Sequence, residues 1–139
     1  LARGRLMWLF DTVALSEAAK SRANAGFVAW LEGVRTHDIH TSVLCLGEIR
    51  RGIEMLPPGD KRDGLAHWLE TDLTAWLGAR VLPVDAVTAQ VWGRLGARGK
   101  VSPVDALIGA SAVSAGLTVV TRNARDFDGL GVAVVNPWT

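Results

Sequence analysis

One cysteine and three histidines leave this 139-residue chain little with which to bind zinc or close a disulfide. Cys45 has no partner within the chain, which excludes a disulfide framework. It sits in an apolar helical pattern and reads as a buried, inert thiol in a reducing compartment, the cytoplasm. His37, His40 and His67 lack the spacing of metal ligands and suit surface or cap positions. Lysine is scarce too: only Lys20, Lys61 and Lys100 stand against twelve arginines. None follows a late strand, so a receiver-like phosphoacceptor domain fits poorly. Asp11-Thr12-Val13 likewise departs from the Asp-x-Asp of acid-nucleophile phosphatases.

Long uncharged stretches are rare. Residues 101–121 raise the question of a membrane span, but Pro103, Asp105 and the many Ser, Gly, Ala and Thr residues indicate a buried helix followed by a strand. Arg3 and Arg5 precede an apolar run of only five residues before Asp11, too short for a secretory leader. Residues 1–6 read as an N-terminal extension or disordered tail, and 7–138 as one domain without repeat, linker or low-complexity segment. The net charge of +1 says nothing about nucleic acid. The preference for Arg, whose fork matches phosphate, leans towards it no more than GC-rich coding would explain.

Half the chain is hydrophobic, and its pattern alternates strands with helices. Residues 7–10, 39–41, 81–84, 117–121 and 132–135 read as strands. Helices are expected after Asp11, over 25–35, from a Ser42 cap to about Leu56, over 60–78, over 86–98, and from Ser102-Pro103 to a Gly116 cap. Such alternation implies an α/β domain with helices on both faces of a mainly parallel sheet of four to five strands. Ligands of these sheets bind at the carboxyl ends of the strands.

Four of the fourteen acids sit in that region or on inward faces. Asp11 ends the first strand and is the only charge between Arg5 and Glu17; Asp105 is the only charge between Lys100 and Arg122. At about 100° per residue, Glu48 shares its helix face with Leu44, Cys45, Gly52 and Met55, opposite Arg50, Arg51 and Glu54. Asp126 follows the strand ending at Thr121. Each has a mundane alternative. Asp11 could cap a helix, Ser102-x-x-Asp105 resembles a capping box, Glu48 could be a boundary acid, and Asp126 an ordinary loop acid. Asp85 reads as the N-cap of the 86–98 helix. Taken together, the four acids suit a hard divalent ion, Mg2+ or Mn2+, which activates water for attack on phosphate esters.

These residues also carry a resemblance. Leu9-Phe10-Asp11-Thr12 with Leu15-Ser16-Glu17, Leu46-Gly47-Glu48-Ile49-Arg50-Arg51-Gly52, Asp105-Ala106-Leu107-Ile108, Thr121-Arg122-Asn123 with Asp126-Phe127, and Val135-Asn136-Pro137-Trp138 occur in order. Together they resemble the PIN-domain ribonucleases of the VapC toxin class, close to the FitB-like branch, from Met7 to Trp138. The resemblance implies a three-layer α/β/α fold. It also implies a metal-dependent endoribonuclease with Asp11, Glu48, Asp105 and Asp126 as catalytic and metal-binding acids. Thr12 and Thr121 would be supporting polar groups, and Asn123 would shape the loop carrying Asp126. Implied partners are a VapB-like antitoxin, an RNA substrate such as tRNA or another structured RNA, and a second copy in a homodimer. A larger complex would bind operator DNA through the antitoxin. Arg50, Arg51, Arg122 and Arg125 flank the site in sequence and could hold RNA phosphates. One departure stands out: Val13 replaces the Asn usual after Asp-Thr. That motivates a rival reading, an inactive PIN-like module that binds antitoxin or RNA.

Overall fold

The computed structural model of the chain describes residues 6–98 and 101–139. Five short strands form one parallel sheet: β1 (Trp8–Phe10), β2 (Ile39–Ser42), β3 (Val81–Leu82), β4 (Thr118–Val120) and β5 (Val134–Val135), in the spatial order β3-β2-β1-β4-β5. Parallel neighbours need crossover connections, and helices supply them. They are α1 (Thr12–Ala19), α2 (Ala25–Glu32), α3 (Val43–Glu54), α4 (Asp60–His67), α5 (Thr74–Leu77), α6 (Ala86–Gly96) and α7 (Pro103–Ala115). The α/β/α layering and the parallel sheet are as the sequence indicated. The expected tail at 1–6 lies outside the described residues except for Leu6, which is exposed.

Side-chain caps set most helix starts. Asp11, Asn24, Ser42, Asp85 and Ser102 each accept a hydrogen bond from a first-turn N–H, so Asp85 is the cap it was read to be. Gly116 closes α7 at φ 71°, a conformation in which any Cβ would be strained. The strands near 81, 117 and 132 are each shorter than their apolar runs. Around β4 the buried Leu117 and Thr121 extend beyond the paired residues, whereas Val84, past β3, is exposed. One expectation fails in kind. The helix over 60–78 is not regular, because Trp68–Leu73 between α4 and α5 is π-helical. There Thr74 Oγ1 donates to the Leu69 carbonyl at 2.8 Å. A hydrophobic repeat does not reveal such a change of winding.

Leu9, Phe10, Phe27, Ile39, Val119 and Val120 form the centre of the core and are essentially inaccessible. An aromatic group extends it: Trp30 meets Trp8 edge-on at 5.0 Å, and Phe27 meets Trp138 at 4.7 Å. Trp30, half-buried, packs against this core. Residues 136–139 return over α1 and α2. Glu17, 4% exposed, accepts from the Asn24 N–H at 2.9 Å, from Trp138 Nε1 at 3.2 Å and from Lys20 Nζ at 3.2 Å. Asn24 in turn accepts from the Thr139 N–H at 3.1 Å.

The Asn24 N–H, then Trp138 and Lys20, hold the Glu17 carboxyl below its ordinary value. A depressed carboxylate stabilises the fold above its unfolded pKa, and that contribution disappears as pH falls through the folded value. Glu17→Gln should cost about 1–3 kcal/mol at neutral pH. The gap from wild type should narrow on acidification, as read by urea unfolding across pH. A gap independent of pH would contradict the assignment.

Candidate metal centre

The parallel sheet places the acids. β1 and β4 are neighbours in register, Phe10 beside Val120, and the Asp11 N–H donates to the Val120 carbonyl at 3.2 Å. The next residues, Asp11 and Thr121, therefore emerge side by side at the carboxyl edge. β2 leads into α3 at that same edge, tied to β1 by Thr41 Oγ1 donating to the Phe10 carbonyl at 2.8 Å. α7 leads back to the start of β4, so its first turn and Asp105 stand over the carboxyl edge.

Asp11 is 8% exposed and has two duties. Its Oδ1 caps α1 by accepting the Ala14 N–H at 2.9 Å. Burial pushes its carboxyl above the ordinary value; hydrogen bonds from Thr121 and Ala14 oppose that rise, and the charges of Glu48 and Asp105 add to it. Glu48 and Asp105 thus both lie within electrostatic reach of Asp11. Thr12 Oγ1 donates to Glu48 Oε1 at 2.6 Å, and Ser102 Oγ donates to Asp105 Oδ2 at 2.8 Å. The capping alternatives for Asp11 and Asp105 are therefore real and coexist with the site. Two inferences about enclosure need correcting. Glu48 is exposed, because the buried face of α3 is Cys45, Ile49 and Ile53, one step round from the face expected. Asp105 is half-buried, since α7 buries its apolar residues only from Ala106 onwards.

Asp126 belongs to a 3-10 turn, Ala124–Phe127, pinned by buried Phe127. Asn123 forms the turn through its backbone: its N–H donates to Thr121 Oγ1 at 3.0 Å and its carbonyl accepts the Asp126 N–H at 3.0 Å. Asp126 and Asp105 line one polar cleft of about 430 Å3. Asp105 is thus the member common to the Asp11–Glu48 group and to the Asp126 cleft. Among the described residues no three acids, histidines or cysteines draw close enough to form a ready-made cage. Thr12 and Ser102 instead hold Glu48 and Asp105 to their own donors.

The donor set fits a hard cation. All four candidates are carboxylates, and the one thiol nearby is unavailable: burial pushes Cys45 up to about 11. Of the candidate arginines, Arg50 is committed to Glu70 at 2.8 Å and to Glu54 at 3.6 Å. Arg51, Arg122 and Arg125 are exposed without an ion pair among the described residues. Arg122 and Arg125 line a second cleft of about 450 Å3, which Asp126 also borders, with Asn123 and Asn136. Sequence reasoning passed over Arg98 and Asp128, which line the Asp105–Asp126 cleft. The alternation of outward acids about buried Phe127 was the available signal for Asp128.

A fold and an edge site of this kind define a class, parallel α/β domains with an acid-lined carboxyl edge. The family model described as PIN domain matches residues 8–132, and the chain belongs to the PIN-domain family, among its FitB- and VapC-like members. It is 32% identical over 137 residues to Toxin FitB of Neisseria gonorrhoeae, covering 95% of this chain and 99% of that protein. It is 30% identical over 137 residues to VapC ribonuclease Y4jK of Sinorhizobium fredii, covering 95% and 98%. The solved structure of FitAB bound to an IR36 DNA fragment superposes with a TM-score of 0.86 at 30% identity, covering 96% of each chain.

Because like charges and burial both oppose ionised Asp11, Asp11→Asn should keep the cap and raise metal-free stability by about 1 kcal/mol, a few degrees in Tm. Thermal unfolding in EDTA checks this. A lower melting temperature would show that the site is not charge-strained.

Proposed function

We propose that this chain is a divalent-metal-dependent endoribonuclease toxin held in check by a cognate VapB-like antitoxin. The observation that carries the reading is a buried carboxylate, Asp11, at the carboxyl edge of a parallel sheet and within reach of the charges of Glu48 and Asp105. Such an arrangement is costly unless a cation offsets it. Asp11, Glu48 and Asp105 would hold Mg2+ or Mn2+, with Asp126 completing the set from its turn. Held by these residues, such an ion would supply Lewis acidity and water activation for hydrolysis of an RNA phosphodiester.

The remaining work falls to the chain. Thr12 orients Glu48, Thr121 orients Asp11, and Ser102 orients Asp105. Asn123 fixes the turn that presents Asp126. Arg51, Arg122 and Arg125 are free to hold RNA phosphates, tRNA or another structured RNA being the substrate class, whereas Arg50 already has two acidic partners. Val13 supplies no polar support, and the Thr12–Glu48 hydrogen bond provides support from the next residue.

No helix among the described residues is long and apolar enough to cross a membrane. A cytoplasmic toxin paired as a homodimer and, through its antitoxin, bound to operator DNA is the assembly we infer. An apolar groove of about 460 Å3 between α1, α2 and the π-helical turn, lined by Leu15, Leu31, Trp68 and Trp76, offers the antitoxin a surface.

RNA cleavage should require Mg2+ or Mn2+, stop with EDTA, and fall at least about 100-fold in Asp11→Asn and in Asp105→Asn. The same ions should raise the melting temperature of wild type more than that of either variant. Cleavage that survives both substitutions, or needs no metal, would overturn the enzyme reading. Metal binding and antitoxin binding without cleavage would favour the inactive-module reading that Val13 motivates.

A further inference from the structure

The cleft holding Asp105 and Asp126 contains two guanidinium groups as well as acids. Arg98 and Arg125 line it together with Ser102 and Asp128. Neither arginine has an ion pair among the described residues, although three aspartates share the cleft with them. Two forks beside three carboxylates leave a net of one negative charge. A dication on the acids reverses that sign, and the cleft then attracts a phosphate chain.

The backbone explains why both arginines reach the cleft. α6 ends at Gly96, and the Arg98 N–H donates to the Leu95 carbonyl at 3.0 Å, which turns Arg98 off the helix. Gly129 and Gly131, at φ 80° and 68°, fold the following loop back beneath it. A Cβ at Gly131 would lie 3.9 Å from Arg98 Nη1, so the loop passes directly under the guanidinium. Arg125 sits in the turn pinned by Phe127 and, like Asp126, lines both clefts. Two cations therefore border the acids Asp105 and Asp126.

We propose that Arg98 and Arg125 form a phosphate clamp that holds the linkages flanking the scissile phosphate in an unpaired stretch of the RNA. Arg98 grips the strand on the α6 side. Arg125 grips it where it crosses from the Asp105–Asp126 cleft into the Arg122–Asn136 cleft. Bidentate forks suit phosphate oxygens, and planar guanidinium groups fix the strand's register over the acids. The clamp rests on the ribonuclease reading above.

The test is the salt dependence of binding to a short single-stranded RNA, followed by fluorescence anisotropy in Ca2+, an oxygen-ligated dication. Each lost phosphate contact lowers the slope of log affinity against log salt by about 0.7 for a single strand. Arg98→Gln and Arg125→Gln should each show that loss, the double variant about twice it, and Arg98→Lys should retain the wild-type slope. Arg62→Gln, which removes only the surface pair with Glu54, should match wild type. Replacing Ca2+ with EDTA should weaken wild-type binding. Unchanged slopes in Arg98→Gln and Arg125→Gln, with wild type binding and cutting RNA, would overturn the clamp alone. Wild type that neither binds nor cuts RNA would overturn the clamp and the ribonuclease reading together. Equal slope loss in Arg98→Lys would show a structural role for Arg98 and also overturn the proposal.

Discussion

Everything at the carboxyl edge of this sheet is arranged around one buried carboxylate. Asp11 must end β1, start α1 and carry charge in a place that disfavours charge. The first two tasks fix its position, since its N–H belongs to the β1–β4 pairing and its Oδ1 belongs to the first turn of α1. The third is the one that a bound cation would ease. A residue held this rigidly cannot swing into solvent to relieve its neighbours.

The topology then gathers the other groups at little structural cost. In a parallel sheet every strand delivers its following residue to the same edge, and every returning helix begins there. Thr121 follows β4, Ser42 and α3 follow β2, and α7 opens above both. Side chains from distant parts of the chain come to one edge because these local elements share a direction. Hydrogen bonds from Thr12 and Ser102 finish the positioning, and both donors are helix-terminus residues whose backbone geometry is already set.

How much of this could be read in the sequence depended on which physical signal each part leaves. The strand of residues 8–10 and the caps at Asp11, Ser42, Asp85 and Ser102 were legible, because burial and capping are local properties with strong residue preferences. A mainly parallel sheet of four to five strands followed from alternation of elements, but the order β3-β2-β1-β4-β5 did not. The π-helical Trp68–Leu73 left no trace, since one extra residue per turn barely alters an apolar repeat. Glu48 was placed on the right helix, but its face was misjudged by one step, because Gly52 and Met55 counted as apolar although they face solvent. Arg50 illustrates the remaining limit. Its surface partner Glu70 lies twenty positions away, and nothing in a local pattern could pair them. Arg98 and Asp128 went unnoticed for the same reason: the cleft that unites them exists only once α6, α7 and the Gly129–Gly131 loop are folded.

The central claim is that Asp11, Glu48 and Asp105 share one divalent cation at the sheet edge. Anomalous X-ray scattering from crystals grown with Mn2+ tests it most directly. The account predicts a manganese peak bounded by the carboxylates of those three residues, with Asp126 as a further ligand or reaching it through water. Manganese bound only elsewhere on the surface, with that edge free of any anomalous signal, would contradict it.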